Sequence, residues 1–341
     1  MHVCELNDHY IIAPRGCVNG IRGKAGGVCD NKGETVPGSV RFLNNYKVVL
    51  TEQIAQPCPA VYMGNLWNHY GHFLMETLSR FWIFLDDNSA VIPPNAVFVF
   101  TPVYCKGPSD VIMTIIAYIR ARLGVQDNVV FRFMRPGEQQ RFSTVYLPDR
   151  LDRCIFATML RATCEQRRLR APGSASVCID DLSGESFDLH HQLFTCISPS
   201  VTPNGPELLY MSRQGFARDP GSDIESAMQS LGFTIFSPQL DAFVNNLIVY
   251  GGVKVLVGGE GSGMHNSAFC PSSTTVIVLT NDARTPSSAQ CYFDCIAKRR
   301  HIAEVSLSLG TSGVVERIKY HMEKKQVSVM SVAASDDGSA S

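Results

Sequence analysis

The sequence predicts an α/β protein built on mostly parallel sheets. Short apolar runs rich in β-branched and aromatic residues, such as residues 96–100, alternate with amphipathic runs of helical period, such as residues 110–123. This alternation is typical of βαβ units, in which helices cover the faces of a parallel sheet. It stops near residue 171 and starts again at Glu207, so the 341 residues are expected to form two domains.

The first domain is predicted to begin with a small irregular sheet. Residues 1–60 are rich in Gly, Asn and Pro and contain only short β-like pieces. A strand at residues 60–63 then leads through Gly64 into a helix that begins near Asn65 and continues past Arg80. The other predicted elements are strands at 96–100, 129–133 and 144–147 and helices at 110–123 and 153–170.

The second domain is predicted to be doubly wound. Its predicted strands lie at 207–211, 233–236, 254–257 and 275–279, with helices at 223–231, at 241–250 and from about residue 262. Ser222 and Glu225 match a capping box, which supports the start of the first of these helices. Strict alternation of strand and helix predicts a nucleotide-binding architecture.

These patterns set the predicted domain boundaries. Residues 1–175 form the first domain, and residues 176–206, rich in Ser, Pro and Gly, form a linker. Residues 207–326 form the second domain. The Ser-, Ala- and Asp-rich residues 327–341 are predicted to be a disordered tail.

The first candidate site is one face of the helix near Asn65. At roughly 100° per residue, one wedge of this helix carries Asn65, His69, His72, Glu76 and Arg80, whereas the opposite side is apolar. Imidazole, carboxylate and guanidinium groups move protons or hold anions. We interpret Glu76 as the candidate general base, its pKa tuned by His72 and Arg80 one turn to either side. A metal-dependent hydrolase with His69, His72 and Glu76 as ligands is the alternative for this face.

The second candidate site follows two strands of the second domain. The run Gly258-Gly-Glu-Gly-Ser-Gly-Met-His-Asn266 joins a buried strand to a helix, so its N–H groups and the helix end are expected to face an anion such as a diphosphate. Arg213 and Arg218 follow the strand at 207–211, at the same carboxyl edge, where a guanidinium can grip phosphate in a bidentate manner. A structural role for His265, as a cap or a core residue, stays open.

Taken in order, these motifs resemble one family. A helix with an Asn followed by His-Phe-x-x-Glu-x-x-x-Arg, then Tyr-Met-Ser-Arg, Leu-Gly-Phe and Val-Gly-Gly-Glu-Gly-Ser-Gly-Met-His-Asn together resemble the family 61 glycosyltransferases, over roughly residues 60 to 285. The family includes bacterial capsular-polysaccharide proteins and eukaryotic xylosyl- and N-acetylglucosaminyltransferases. The resemblance implies a GT-B fold with two facing Rossmann-like domains and a cleft between them. It also implies inverting transfer from a nucleotide sugar, a UDP-sugar by resemblance, with no essential metal and no other cofactor.

The resemblance also assigns site residues. It places the catalytic pair at Glu76 and His72, and it leaves Asn65, His69 and Arg80 as acceptor-side candidates. Donor binding is assigned to Arg213, Arg218, Gly258, Glu260, Gly261, Ser262, Gly263, His265 and Asn266. Many eukaryotic members have His at the place of Glu260, so Glu there resembles the bacterial branch and leaves its role open. A non-catalytic glycan-binding or nucleotide-sugar-binding module is the remaining alternative.

Composition bears on partners and location. A formal net charge of −1 gives no basic field for nucleic acid. We find no signal peptide, no membrane-spanning apolar run and no Asn-x-Ser/Thr acceptor, so a cytoplasmic protein is expected. The resemblance implies a glycan or polysaccharide acceptor. The sequence predicts no oligomeric state.

Overall fold

The computed structural model describes residues 2–13, 27–37, 39, 48–85, 90–103, 108–151, 185–198, 205–214, 219–238, 243–281, 288–298 and 302–333. Within these residues the chain is a mixed α/β protein with two sheets, one of six strands and one of five. The chain divides into two compact units. The first contains Met1–Ala157 with Gly184–Ile197, and the second contains Thr158–Ser183 with Ser198–Ser341.

The sheet of the first unit has the order β2-β1-β6-β3-β4-β5. Its strands are β1 (Val3–Ile12), β2 (Gly27–Cys29), β3 (Ala60–Leu66), β4 (Val97–Pro102), β5 (Val130–Phe133) and β6 (Gln139–Pro148). The four strands from β6 to β5 are parallel, as the βαβ pattern predicts. β1 is antiparallel to both neighbours, which corrects the prediction of a small irregular sheet. Polar residues in the first half of β1 hid it, because only its second half is buried.

A composite helix follows β3 and differs from the regular helix predicted near Asn65. It consists of α1 (Tyr70–His72), a π-helical turn (Phe73–Thr77) and a 3-10 helix (Leu78–Phe84). Each type of turn advances the side chains by a different angle, so a wedge drawn at one angle per residue does not persist along it. π-Helical turns occur frequently at functional sites, and this one contains Glu76.

Gly64 makes room for a buried cation beside this helix. The register between β3 and β4 shifts at Gly64, whose φ is +91°. A Cβ built there would collide with the guanidinium of Arg80. Arg80 is 2% exposed, donates from Nε to the carbonyl oxygen of Pro148 at 3.0 Å, and lies over the Tyr62 ring. The strand irregularity is therefore a packing device that accommodates Arg80.

We expect Gly64→Ala to lower the unfolding free energy of the first unit by about 2 to 4 kcal/mol, because it combines backbone strain with displacement of a buried guanidinium. Both tryptophans of the chain, Trp67 and Trp82, are buried in this unit, so tryptophan fluorescence during urea unfolding reports on it. Gly124→Ala is the matched control. Gly124 also has a positive φ, but nothing lies within 4 Å of its Cβ position, so only about 1 kcal/mol is expected. Equal losses in the two variants would contradict the steric argument.

Two further helices complete the first unit. α2 (Asp110–Arg122) begins where Ser109 Oγ accepts from the Ile112 N–H, and it confirms the helix predicted at residues 110–123. α3 (Glu185–Ile197) falls within the stretch predicted as a linker. Phe187, Leu193, Phe194 and Ile197 of this helix are buried, and the Tyr118 hydroxyl donates to the carbonyl oxygen of Ile197 at 2.8 Å. This stretch therefore includes a helix of the first unit.

The sheet of the second unit is fully parallel, in the order β11-β10-β9-β7-β8. Its strands are β7 (Leu208–Met211), β8 (Thr234–Phe236), β9 (Val255–Gly259), β10 (Thr275–Thr280) and β11 (Ile302–Ser306). Its helices are α4 (Ser222–Ser230), α5 (Phe243–Tyr250), α6 (Ser288–Ile296) and α7 (Gly310–Ala333), with short 3-10 helices at Met264–Phe269 and Leu307–Leu309. The predicted alternation of strand and helix is confirmed, and its buried core includes Tyr210, Val257 and Ile277.

The order of these strands creates a topological switch point. Counted along the unit, the order is 2-1-3-4-5, so the connection from β7 moves to one side of the sheet and the later connections move to the other. The switch point lies between β7 and β9, where open α/β sheets bind ligands at the carboxyl ends of the strands.

The tail predicted at residues 327–341 overlaps the last helix, and residues 334–341 lie outside the described residues. α7 continues to Ala333, which is the last described residue. Across the described ranges, every helix is too short or too polar to cross a membrane.

Candidate active site

The first candidate site is a histidine–carboxylate–arginine chain in the first unit. His72 Nδ1 lies 2.8 Å from Glu76 Oε1, and the other oxygen, Oε2, lies 3.6 Å from an Arg150 nitrogen. Glu76 and Arg150 are buried, with side chains 6% and 7% exposed, whereas the His72 side chain is 30% exposed. Burial strengthens the interaction between the two charges, since less water screens them.

Aromatic rings fix the plane of the His72 imidazole. The Trp67 ring stacks on it with 4.5 Å between centroids and 27° between planes. His69 meets the same ring at 5.1 Å and 58°. Partial burial, and then the nearby His72, lower the pKa of His69, which favours its neutral form. His69 is the residue before α1 and its side chain does not cap that helix.

The predicted polar wedge does not form, because its two ends lie elsewhere. Asn65 belongs to β3, and its Oδ1 accepts from Thr101 Oγ1 at 3.0 Å. Arg80 is buried against Tyr62 and Pro148, as described above. The π-helical turn keeps His72 and Glu76 together but turns the following residues away from them.

The second candidate site lies at the switch point of the second unit. Arg213 follows β7, and Glu260 follows β9, the adjacent strand. The Arg213 guanidinium donates to the backbone carbonyl oxygen of Glu260. It also occupies the space beside Gly261, whose φ is +146°, a conformation open mainly to glycine. The predicted meeting of the arginine strand with the glycine run is confirmed.

Residues 260–263, which we call the glycine loop, present unused donors. The N–H groups of Gly261, Ser262 and Gly263 make no hydrogen bond to any described residue, whereas those of the next three residues bond back to the carbonyl oxygens of Gly261, Ser262 and Gly263. The segment after the loop is a six-residue 3-10 helix and not the predicted α-helix. Its dipole is small, so the loop N–H groups provide most of the attraction for an anion.

Gly258 is required for packing. It lies within β9, in register with Met211 of β7. A Cβ there would come within 2.6 Å of Met264 Sδ and 2.8 Å of Met211 Cβ. Gly258 therefore lets the helix after the glycine loop pack against the strand pair.

Glu225 supports the Arg213 turn and does not cap α4. Ser212 Oγ donates to Glu225 Oε2 at 2.7 Å and accepts from the Gln214 N–H at 3.3 Å. The residue before α4 is Gly221, and no side chain caps the helix. The predicted capping box is therefore wrong, because the Glu225 carboxylate bonds to the strand end that carries Arg213.

The predicted donor-binding residues His265 and Asn266 are buried, at 7% and 4% exposed. The His265 ring stacks on Phe293 with centroids 4.4 Å apart, and Asn266 Nδ2 donates to the Gly263 carbonyl oxygen at 3.0 Å. Ser267 Oγ and Gln290 Nε2 both donate to the buried Asp294 carboxylate. This network anchors the segment that follows the glycine loop to α6.

Glu304 of β11 adds a carboxylate near this network. Burial raises the pKa of Glu304 to about 7, and the negative charges of Glu260 and Asp294 add to the effect. A carboxyl group whose pKa is raised on folding binds more protons in the native state than in the unfolded state. Between about pH 5 and pH 7, stability therefore falls as pH rises, and the full cost is present above pH 7.

We expect Glu304→Gln to raise the stability of the second unit at pH 8 by about 1 to 2 kcal/mol, allowing for partial solvent screening, and to leave it nearly unchanged at pH 4.5. Hydrogen exchange of the β10 amides, compared at the two pH values, measures this. Glu316→Gln, which alters an exposed carboxylate on α7, is the control and should change neither value. If the stability of Glu304→Gln falls with pH as steeply as that of the wild type, the pH dependence belongs to another group.

Sequence reasoning missed several residues of these sites. Arg150 lies 74 positions from Glu76, and no local pattern links them, whereas Trp67 is within the helix motif and could have been noticed. Asp294 lies on α6 and Glu304 on β11, and the positions of these elements depend on the order of the strands in the sheet, which no local pattern gives. Arg218, a predicted donor-binding residue, lies outside the described residues.

No group of three or more His, Cys, Asp and Glu side chains within the described ranges is placed to hold a metal ion. These ranges include His69, His72 and Glu76, and the Glu76 oxygen nearest the histidines is taken by His72 Nδ1. The alternative of a metal-dependent hydrolase on this helix is therefore not favoured.

Comparison with known proteins gives one family. The family model described as Glycosyltransferase 61 matches residues 70–277, more than half of the chain. The match includes His72, Glu76, Arg150, Arg213 and the glycine loop, and it excludes Asn65 and His69. A comparison with curated protein sequences gives no match.

Proposed function

Because the chain belongs to the glycosyltransferase 61 family and is therefore a glycosyltransferase, we propose that it moves a sugar from a UDP-sugar to a hydroxyl group of a glycan or polysaccharide. In this proposal the transfer inverts the configuration at the anomeric carbon, and it needs neither a metal ion nor another cofactor. One observation carries the proposal: Arg213 meets the unused N–H groups of the glycine loop at a topological switch point.

The donor side follows from the charge of the ligand. A nucleotide diphosphate carries anionic oxygens, and the glycine loop offers three N–H donors close to a guanidinium. As the bond to the sugar breaks, negative charge grows on the leaving diphosphate. Donors fixed before the reaction stabilise that charge, which is how Arg213, Arg218 and the loop would substitute for a metal ion.

The acceptor side needs a group that takes a proton. Inverting transfer has the acceptor hydroxyl attack the anomeric carbon from the face opposite the leaving group, and the hydroxyl loses its proton as the new bond forms. The His72–Glu76 pair of the first unit supplies a proton acceptor. The proposal includes the GT-B arrangement, in which one unit holds the donor and the other activates the acceptor. A role in cytoplasmic polysaccharide biosynthesis stays a prediction from the resemblance.

The proposal is tested by calorimetric titration of the full chain with UDP, other nucleoside diphosphates and UDP-sugars in the presence of EDTA. Binding of UDP is expected, with at least a tenfold lower affinity in Arg213→Ala, because a charge-assisted contact worth about 1.5 to 3 kcal/mol is lost. Arg141→Ala, which removes a surface arginine of the first unit, is the control. Absence of nucleotide binding, or binding that requires a divalent ion, would contradict the proposal. Binding without turnover on any acceptor would favour the non-catalytic module.

A further inference from the structure

We propose that His72 takes the proton of the acceptor hydroxyl, and that Glu76 and Arg150 are positioning residues that orient the imidazole and stabilise its charged form. This inference rests on the proposed function. It exchanges the roles of the two residues, because the sequence alone favours Glu76 as the general base and His72 as its supporting residue.

The burial of Glu76 is the first argument. Its side chain is 6% exposed, one oxygen contacts His72 Nδ1 at 2.8 Å, and the other lies 3.6 Å from Arg150. An incoming hydroxyl needs an acceptor atom within about 2.6 to 3.2 Å. Glu76 offers little open surface for such an approach.

The open nitrogen of His72 is the second argument. The His72 side chain is 30% exposed, and Nε2 makes no hydrogen bond within the part of the chain that the structure describes. A carboxylate is only an acceptor, so the 2.8 Å contact requires a proton on Nδ1. In the neutral ring Nε2 is then the unprotonated nitrogen, which is the state that accepts a proton.

The rigidity of the imidazole is the third argument. Trp67 stacks on one side of the His72 ring, and the π-helical turn holds Glu76 four residues ahead in hydrogen-bonding contact. His69 is more exposed, but within the described ranges no carboxylate contacts its ring. Of the two histidines, only His72 is held in one tautomer and one plane by its neighbours.

The proton and electrons balance in a single displacement. The acceptor oxygen forms a bond to the anomeric carbon as its proton moves to His72 Nε2. The bond between the anomeric carbon and the diphosphate oxygen breaks, and its electron pair leaves with the diphosphate. The resulting imidazolium faces the Glu76 carboxylate, whose other oxygen lies near the positive charge of Arg150.

The first measurement needs no substrate. Nitrogen-15 NMR of the full chain labelled at histidine, with the His72 signals assigned by their loss in His72→Ala, reports the protonation of each ring nitrogen. We expect His72 in the wild type at high pH to carry its proton on Nδ1, and Glu76→Gln to give a mixture of the two tautomers. A wild-type ring protonated mainly on Nε2 would overturn the inference.

The second measurement is turnover, followed as release of nucleotide diphosphate with the donor found by calorimetry and a hydroxyl acceptor. We expect His72→Ala to lower kcat by about 10² to 10⁴-fold with donor affinity unchanged, and added imidazole to restore part of it. Imidazole should not restore Glu76→Gln, because His72 is still present there. His72→Ala with near wild-type kcat, or rescue of Glu76→Gln alone, would contradict the assignment. A wild type that binds no nucleotide sugar would instead refute the proposed function.

Discussion

Replacing Gly261 by alanine is expected to weaken donor binding by about 100-fold, from two effects at one atom. The φ of Gly261 is +146°, a conformation that costs alanine about 1 to 3 kcal/mol, so the loop of the free variant relaxes and donor binding must restore the strained conformation. The added Cβ would also overlap the Arg213 guanidinium, which must then leave the glycine loop. About 3 kcal/mol in total corresponds to a factor of about 100 in the dissociation constant.

Gly263→Ala is a control within the same loop. Gly263 has ordinary helical backbone angles, φ −60° and ψ −42°, and the nearest atom to its Cβ position is Met211 Cε at 3.7 Å. We expect its donor affinity to stay within about threefold of the wild type, since neither strain nor collision arises. Calorimetry with UDP on both variants makes the comparison. Equal losses in the two would show that the loop tolerates no side chain at all, and the Arg213 argument would fail.

A double substitution identifies the mechanism of this loss. If Gly261→Ala acts by displacing Arg213, then Arg213→Ala should add little to it, because the same contact is already gone. If the two losses add, the glycine loop and Arg213 bind the donor independently. Hydrogen exchange of β9 and β10 checks that each variant remains folded.

The part of the second unit from β7 to β10 could be predicted from sequence because its strands and helices carry local signals, whereas α6, β11 and α7 were not predicted. β9 and β10 are buried, mainly apolar runs, and the glycine run that begins at the end of β9 is clear in the sequence. No local sequence pattern specifies the order of the strands in the sheet. This order brings Arg213 close to Gly261 and Glu304 close to Asp294. Those contacts needed the structure.

The first site was only partly predictable, for a different reason. The spacing of His72 and Glu76 identified the pair, but a wedge calculated with α-helical geometry cannot anticipate a π-helical turn. The α-helical wedge therefore assigns Arg80 to an open face, whereas in the structure Arg80 is buried in the space beside Gly64. Arg150, the observed partner of Glu76, follows β6 and is brought close only by the pairing of that strand with β3.

Replacing Arg150 by methionine should lower the unfolding free energy of the first unit by about 2 to 4 kcal/mol. Arg150 and Glu76 are both buried, and the loss of one partner leaves the other charge in a poorly solvated place. Glu76→Gln should be destabilising for the same reason, with the Arg150 charge left behind. The double variant removes both charges and should be more stable than the sum of the two losses predicts, by about 1 to 3 kcal/mol.

Arg141→Met is the matched control for an exposed pair in the same unit. Arg141 holds Asp8 through two hydrogen bonds of 2.6 and 2.8 Å, but the two side chains are 32% and 40% exposed. The guanidinium lowers the pKa of Asp8, yet solvent weakens the pair, so a loss well below that of Arg150→Met is expected. Urea unfolding followed by tryptophan fluorescence compares all four variants. If the double variant recovers both stability and turnover, the Arg150–Glu76 pair serves only the packing of the first unit. If it recovers stability but not turnover, the charges of the pair are needed for the function of His72.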